Sequence, residues 1–418
     1  MATVTMVSRL TAGLICIALT ACGGGGGSPD NAVSPTSGSG TTGTDGSGGA
    51  GTGTTGTTGN GATPGQGTGT GSTPQSSPPS GGTDGTGGTG DTGNTGSTAN
   101  ATDARFNRPI GLARDAAGNM YVADSGNYTI RKISPAGNVS TLAGSAGSSG
   151  SADGTGSAAR FSFLKGLSVD GAGNIYVVDG NAVRRISPTG AVTTLAGVVN
   201  TAGSVNGTGA AARFSQPWGI AVDPSGVAYV ADTENYVIRR VATDGTVSTY
   251  AGTPGSRGTV NGSTASATFL GPKGIARDAS GNLYVTDWFG PPAPMTSETS
   301  TFIRRIGSDG VVSTMAGNFG GETGPAQFRD TFAITADNAG NAYVSAFNRV
   351  QRISAAGAVS TVAGPIIGYQ SLEGITIDAE GNLYVADTPS HAISRVTQAG
   401  AVTVVAGKQN EAGSTDVP

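Results

Sequence analysis

The chain has 418 residues, with 23 basic and 27 acidic side chains, a net charge of −4, 6% aromatic residues and 73 glycines. An acidic balance removes the counterion-release drive that holds proteins to nucleic acid, which excludes a nucleic-acid binder. A single histidine and two cysteines also exclude a zinc centre built on several nitrogen or sulfur ligands.

In chain order, the first segment holds one positive charge at Arg9 and a short apolar run from Leu10 to Ala21 that ends in small residues. This is the layout of a secretory signal over residues 1–21, too short to stay in a bilayer as a spanning helix. Leu19, Thr20, Ala21 and Cys22 resemble the lipobox of bacterial lipoproteins. The resemblance implies cleavage before Cys22, a diacylglycerol on its thiol, and a membrane partner reached through that lipid. Gly23 stands where an aspartate would imply retention at the inner membrane, so the expected location is the outer membrane of a Gram-negative cell, or a cell surface. Cys16 leaves with the signal, so the mature chain keeps one lipid-bearing cysteine and has no disulfide partner.

Residues 22–104 are almost entirely Gly, Thr, Ser, Pro, Asn and Asp, in units such as "GTGTTGTTGNG". Such a segment has too little apolar surface to offset the entropy of ordering, and is expected to be a disordered, low-complexity tether with a reach of about 50 Å.

Six similar stretches follow. "GLARDAAGNMYVADSGNYTIRKISPAGNVSTLAG" starts at Gly111, and further copies start at Gly166, Gly219, Gly274, Ala333 and Gly374. Each reads as four short β-prone runs separated by Gly/Asn turns, and the third run alternates apolar with polar side chains. Four antiparallel strands repeated six times predict an all-β, six-bladed β-propeller over residues 105–407, with a C-terminal tail at 408–418. All copies run in one phase, so closure is expected from packing between blades one and six, without a strand borrowed from the other terminus.

The pattern "P.GIA.D..GN.YVAD..N..IR.I...G.VSTLAG" resembles the NHL repeat in its bacterial exported form. Six-bladed relatives of that kind include metal-dependent lactonases and a zinc-dependent amidating lyase, but fold alone does not carry function.

Acids recur at the ends of the first strands (Asp115, Asp170, Asp223, Asp278, Asp337, Asp378) and of the second (Asp124, Asp179, Asp232, Asp287, Asp387). Their repetition favours turn capping over catalysis. Lys132, Arg185, Arg240, Arg305, Arg352 and Arg395 recur in the third strands and are expected to form cross-strand ion pairs within each blade.

Function is expected where the copies differ. The residue just before each repeat's first strand rings one mouth of the channel: Ile110, Lys165, Trp218, Lys273, Phe332 and Glu373. The insert "WFGPPAPMTSETSTF", from Trp288 to Phe302, emerges on the same face. Trp218, Lys273, Trp288, Phe289, Lys165, Phe332 and Glu373 are therefore the candidate binding rim, suited to an envelope protein, a peptide or a glycan. The competing reading is that the tryptophans only anchor the insert. No catalytic motif occurs, no catalytic residue is assigned, and His391, in the loop after the second strand of blade six, sits where the NHL pattern often has a histidine. The expected function is a lipid-anchored, non-catalytic binding module of the cell envelope. The alternative is a lactonase-like hydrolase or a lyase with a divalent ion such as calcium in the channel, for which Glu373 is the only glutamate on the ring.

Overall fold

The computed structural model describes residues 100–289, 300–317, 328, 331–364 and 371–418, with the backbone alone at Phe289 and Ser300. The chain divides into residues 1–89 and 90–418, and all described residues lie in the second unit. The expected signal, Cys22 and nearly all of the expected tether therefore lie outside them.

The described residues form a six-bladed β-propeller of antiparallel sheets. Blade 1 is typical: Pro109–Arg114 pairs with Met120–Asp124, that strand with Thr129–Ile133, and that in turn with Val139–Gly144. The expected turn chemistry fixes the first hairpin. One carboxylate oxygen of Asp115 accepts the Asn119 N–H at 2.8 Å, and the other accepts the Asn119 amide at 2.8 Å and the Tyr121 hydroxyl at 3.0 Å. The same triad recurs at Asp170, Asp278, Asp337 and Asp378, so these acids hold turns. Local side-chain to backbone bonding of this kind competes with solvent and sets the turn without tertiary help.

The six first strands stand side by side around the axis, the last against the first. Glycine makes that approach sterically feasible. A Cβ at Gly111 would collide with the carbonyl of Lys165, one at Gly166 would lie 2.9 Å from that of Trp218, and one at Gly374 would collide with that of Ile110. Five of the six mouth residues are thus seated on the glycine of the preceding blade; Glu373 follows blade 5, which has Ala333 at that place.

The ion pairs inside the blades differ from the expectation. Asp124, Asp179, Asp232 and Asp287 are fully buried, and their partners are Arg131, Arg184, Arg239 and Arg304, at 2.9 to 3.1 Å. The row Lys132, Arg185, Arg240, Arg305, Arg352 and Arg395 lies one residue further on. In the register of the sheets it faces tyrosines (Tyr121 to Lys132, Tyr343 to Arg352), and Arg305 and Arg352 reach the turn asparagines Asn282 and Asn341. A strand's period of two sends neighbouring side chains to opposite faces, which is why adjacent basic residues take unlike roles.

Each buried arginine also stacks over a phenylalanine delivered by the preceding linker: Arg131 on Phe106, Arg184 on Phe161, Arg239 on Phe214 and Arg304 on Phe269, 5.1 to 5.3 Å from the ring centre. In blade 2 the linker further supplies the Ala152 carbonyl and Asp153 as acceptors, and it adds the short fifth strand Gly154–Thr155; blades 3 and 4 gain Gly207–Thr208 and Gly262–Ser263. Satisfying the guanidinium on several sides is what makes a buried charge tolerable.

Blade 1 receives the same acceptors from the other end of the chain, which adds a contact to the expected packing of blade six against blade one. Arg131 donates to the Thr415 carbonyl at 2.9 Å and to Asp416 at 2.6 Å, and Val417 forms two backbone hydrogen bonds with Val139. Phe106 meanwhile lies against Gly407 of blade 6. One linker is therefore split between the two termini. Part of the segment 408–418 thus packs on the propeller, and a bridge from the opposite terminus supplements the packing of blades one and six that closes the ring.

Candidate functional site

The mouth residues emerge where each first strand begins, and a bulge there lets two residues face one on the neighbouring strand, as between Pro109 and Leu112. The structure brings Trp218, Lys273, Trp288 and Phe332 into one cluster. The Lys273 ammonium lies 3.8 Å from the centre of the Trp288 ring, 4.3 Å from Phe332 and 5.2 Å from Trp218, and the residue is only 8% exposed. Trp218 and Phe332 stack on each other with centroids 5.7 Å apart. The backbone N–H of Trp288 donates to the Gly271 carbonyl at 3.0 Å, which fixes the main chain there, while its buried indole N–H has no hydrogen-bond partner. Ring quadrupoles stabilise a cation that burial has stripped of water, by about 2 kcal/mol when desolvated.

Lys165 joins from the neighbouring blade. Its ammonium lies 4.9 Å from the Trp218 ring centre and donates to Gln216 Oε1 at 3.2 Å and to the Pro217 carbonyl at 3.0 Å. Burial pushes its pKa down to about 8, with Glu234 opposing. Glu373 stands on the other side of the ring, where burial raises its pKa against a hydrogen bond from Ser371 and the charges of Arg108 and Lys273. Trp218, Phe332, Ile110 and Glu373 line an open chamber of about 60 Å³ together with Leu112, Leu167, Ile220, Ile275, Ile334 and Ile375.

Of the residues expected at the rim, Phe289 has its side chain outside the described residues. So do residues 290–299, which make up most of the insert; the strands Leu283–Phe289 and Ser300–Ile306 flank it. Sequence reading missed Gln216, Arg108 and Ser371, which lie two residues before the ring positions Trp218, Ile110 and Glu373. Gln216 and Arg108 both precede a proline and both adopt a left-handed backbone, φ 49 and 52, which is a local signal of constraint. His391 has a bonding role: its Nδ1 accepts the Arg108 N–H at 3.0 Å, tying blade 6 to blade 1.

The mouth does not fit a divalent ion such as calcium. Its one ring carboxylate is flanked by Lys273 and Arg108, and among the described residues no three of His, Cys, Asp or Glu gather in one place.

Residues 214–239, at the start of blade 3, match the NHL repeat. The chain carries an NHL repeat. Among solved structures, it is similar to virginiamycin B lyase from Staphylococcus aureus, with 16% identity over 74% of this chain and 86% of that one and a TM-score of 0.46. It is also similar to a gluconolactonase from Xanthomonas campestris (15% identity, 74% and 93% covered, TM-score 0.46) and to the PQQ-bound aldose sugar dehydrogenase of Streptomyces coelicolor (17%, 76% and 94%, TM-score 0.45). Likeness at this level says nothing of chemistry, so any function of this propeller must be argued from its own mouth.

Proposed function

We propose that the protein is a non-catalytic binding module that holds its ligand at the channel mouth, and that it is exported and anchored by a lipid on Cys22, with residues 22–104 as a tether. The observation that carries the binding reading is the cluster of Lys273, Lys165, Trp218, Trp288 and Phe332. These residues interrupt an otherwise repetitive ring, and they are concentrated on blades 2 to 5 at one rim. Aromatic and cationic side chains fixed on a rigid scaffold are typical of recognition surfaces. A hydrolase or lyase working through a divalent ion finds no donor set at this mouth among the described residues.

Trp218 and Trp288 are the chain's two tryptophans, so intrinsic fluorescence reports on the mouth alone. A panel of neutral, anionic and cationic small molecules and short peptides is expected to contain members that shift this emission saturably. Their binding, measured by calorimetry, should be lost in the Trp218→Ala, Trp288→Ala double variant while its thermal transition stays near that of the parent. A panel that never perturbs the tryptophans, or a double variant that unfolds far earlier, overturns the reading in favour of simple packing. The anchor is tested separately: a Cys22→Ser chain that still fractionates with membranes refutes it.

A further inference from the structure

Below the mouth the channel changes character. Leu112, Leu167, Ile220, Ile275, Ile334 and Ile375 line both the mouth chamber and the cavity beneath it, an apolar girdle between two compartments. The lower compartment is rich in donors: Arg114 of blade 1, Arg277 of blade 4, Ser168, Thr335 and Thr376 line it, and no acid among the described residues does. Six blades put blades 1 and 4 on opposite sides of the axis. Each arginine ends its first strand, Pro109–Arg114 or Pro272–Arg277, at the place where the other copies have Val169, Val222, Ala336 and Ile377. The pair departs from the repeat just as the mouth residues do.

These donors are under-used. A guanidinium carries five N–H donors. Arg131 of blade 1 donates to Asp124, Asp416 and two backbone carbonyls. Arg277 makes one hydrogen bond, to the Asp278 carbonyl at 3.2 Å. Among the described residues Arg114 makes none and has no ion-pair partner; its guanidinium carbon lies 5.9 Å from the centre of the Tyr384 ring. Ser168 Oγ accepts the Val222 N–H at 3.1 Å, so its own proton is left to donate.

Acids act on the pair from outside the compartment. Asp378 feels the charge of Arg114 and Asp223 that of Arg277, while Asp115, Asp170 and Asp278 line the lower mouth. Their carboxylates already accept turn donors, such as Asn382 and Tyr384 at Asp378, and Ser225 and Val227 at Asp223. They offset part of the guanidinium charge and leave most of its N–H groups without an acceptor.

The compartment therefore lacks an acceptor-rich group, and guanidinium donors match the oxygens of carboxylates and phosphates. We propose that the channel below the girdle binds a small, doubly charged oxyanion, received by Arg114 and Arg277. It would enter from the lower mouth, whose cavity is lined by the same two arginines. A dicarboxylate and a phosphate group both present this chemistry.

The test uses the full chain, calorimetry at fixed ionic strength, and four probes: succinate, its monoamide succinamate, phosphate and dimethyl phosphate. At least one dianion is expected to bind saturably, and its singly charged counterpart about tenfold more weakly, the loss that goes with one charge-assisted hydrogen bond. Arg114→Gln and Arg277→Gln should each remove that preference. Tighter binding of succinate assigns a dicarboxylate, and tighter binding of phosphate assigns a phosphate group. Singly charged probes that bind as well as the dianions overturn the proposal, as does dianion binding that both variants retain, or silence from all four probes. None of these outcomes bears on the mouth reading, which Trp218 and Trp288 report from the other side of the girdle. Should a variant fail to fold, the comparison of dianion with its counterpart in the parent chain still decides.

Discussion

Blades 1 to 4 and blades 5 and 6 are built on one plan but stabilised differently. In the first four, a buried aspartate, a buried arginine, a linker phenylalanine and linker acceptors occur together. In blade 5 the aspartate is replaced by Ala346 and the arginine by Gln351; in blade 6 Asp387 stays but Ser394 stands where the arginine would be. The arginine is absent where the set is incomplete, because a guanidinium buried without acceptors on each side costs more than its one ion pair returns. The arginine is therefore what an incomplete set cannot keep, while single members persist: Asp387 in blade 6 and the buried Phe328 before blade 5.

Breaking the unit in the middle of the ring should have the largest effect. Arg184→Ala leaves Asp179 buried and uncompensated, and unfolding in urea is expected to show a loss of about 3–5 kcal/mol. The change Gln351→Ala in blade 5, where no charge is stranded, should cost much less. Equal losses at the two sites would show that the arginine contributes only as packing material.

Next in size is the split linker of blade 1. Deleting residues 416–418 removes the Asp416 contact to Arg131 and Thr141, together with the buried Val417 and its two backbone bonds to Val139. Arg131 keeps Asp124, so no charge is left alone, and the expected loss is about 2–3 kcal/mol, mainly the burial of one valine side chain. A truncated chain as stable as the parent would mean that blade packing alone closes the ring.

Much of this was legible in the sequence because repetition exposes it. The four runs per copy, the turn aspartates and the unlike residues at the mouth all follow from periodicity and turn chemistry. The choice between Arg131 and Lys132 was not, since both are basic neighbours and only the strand register decides which one points inward. A signal was present, however: the inner arginines are missing from the same two copies that have shortened linkers. Closure had a signal too. Ser414 to Val417 reads "STDV" against "SADG" at Ser151 to Gly154, and Thr415 and Asp416 do for Arg131 what Ala152 and Asp153 do for Arg184. The cage around Lys273 was beyond reach in detail, because Trp288 and Phe332 meet it only once neighbouring blades are set at the spacing their glycines permit.

The smallest effect should come from Asp387, the acid left without its arginine. It is fully buried, its Oδ1 accepts the Ser390 N–H at 3.4 Å, and its Oδ2 has no hydrogen-bond partner. Burial raises its pKa, and the hydrogen bonds from Ser390 only partly oppose that shift. A carboxyl that is harder to ionise when folded contributes stability that is fully present below the ordinary aspartate range and lost as pH rises through its raised value. Asp387→Asn should therefore match or slightly exceed the parent at neutral pH and lose ground to it on acidification, whereas Asp179→Asn takes from Arg184 its fully buried partner and leaves it only the half-exposed Asp153, and should destabilise more strongly at either pH. Urea midpoints at about pH 5 and about pH 8 separate the two behaviours. An Asp387→Asn chain as damaged at neutral pH as Asp179→Asn would show that blade 6 satisfies its acid as fully as blades 1 to 4 do, and the contrast between the two halves of the ring would fail.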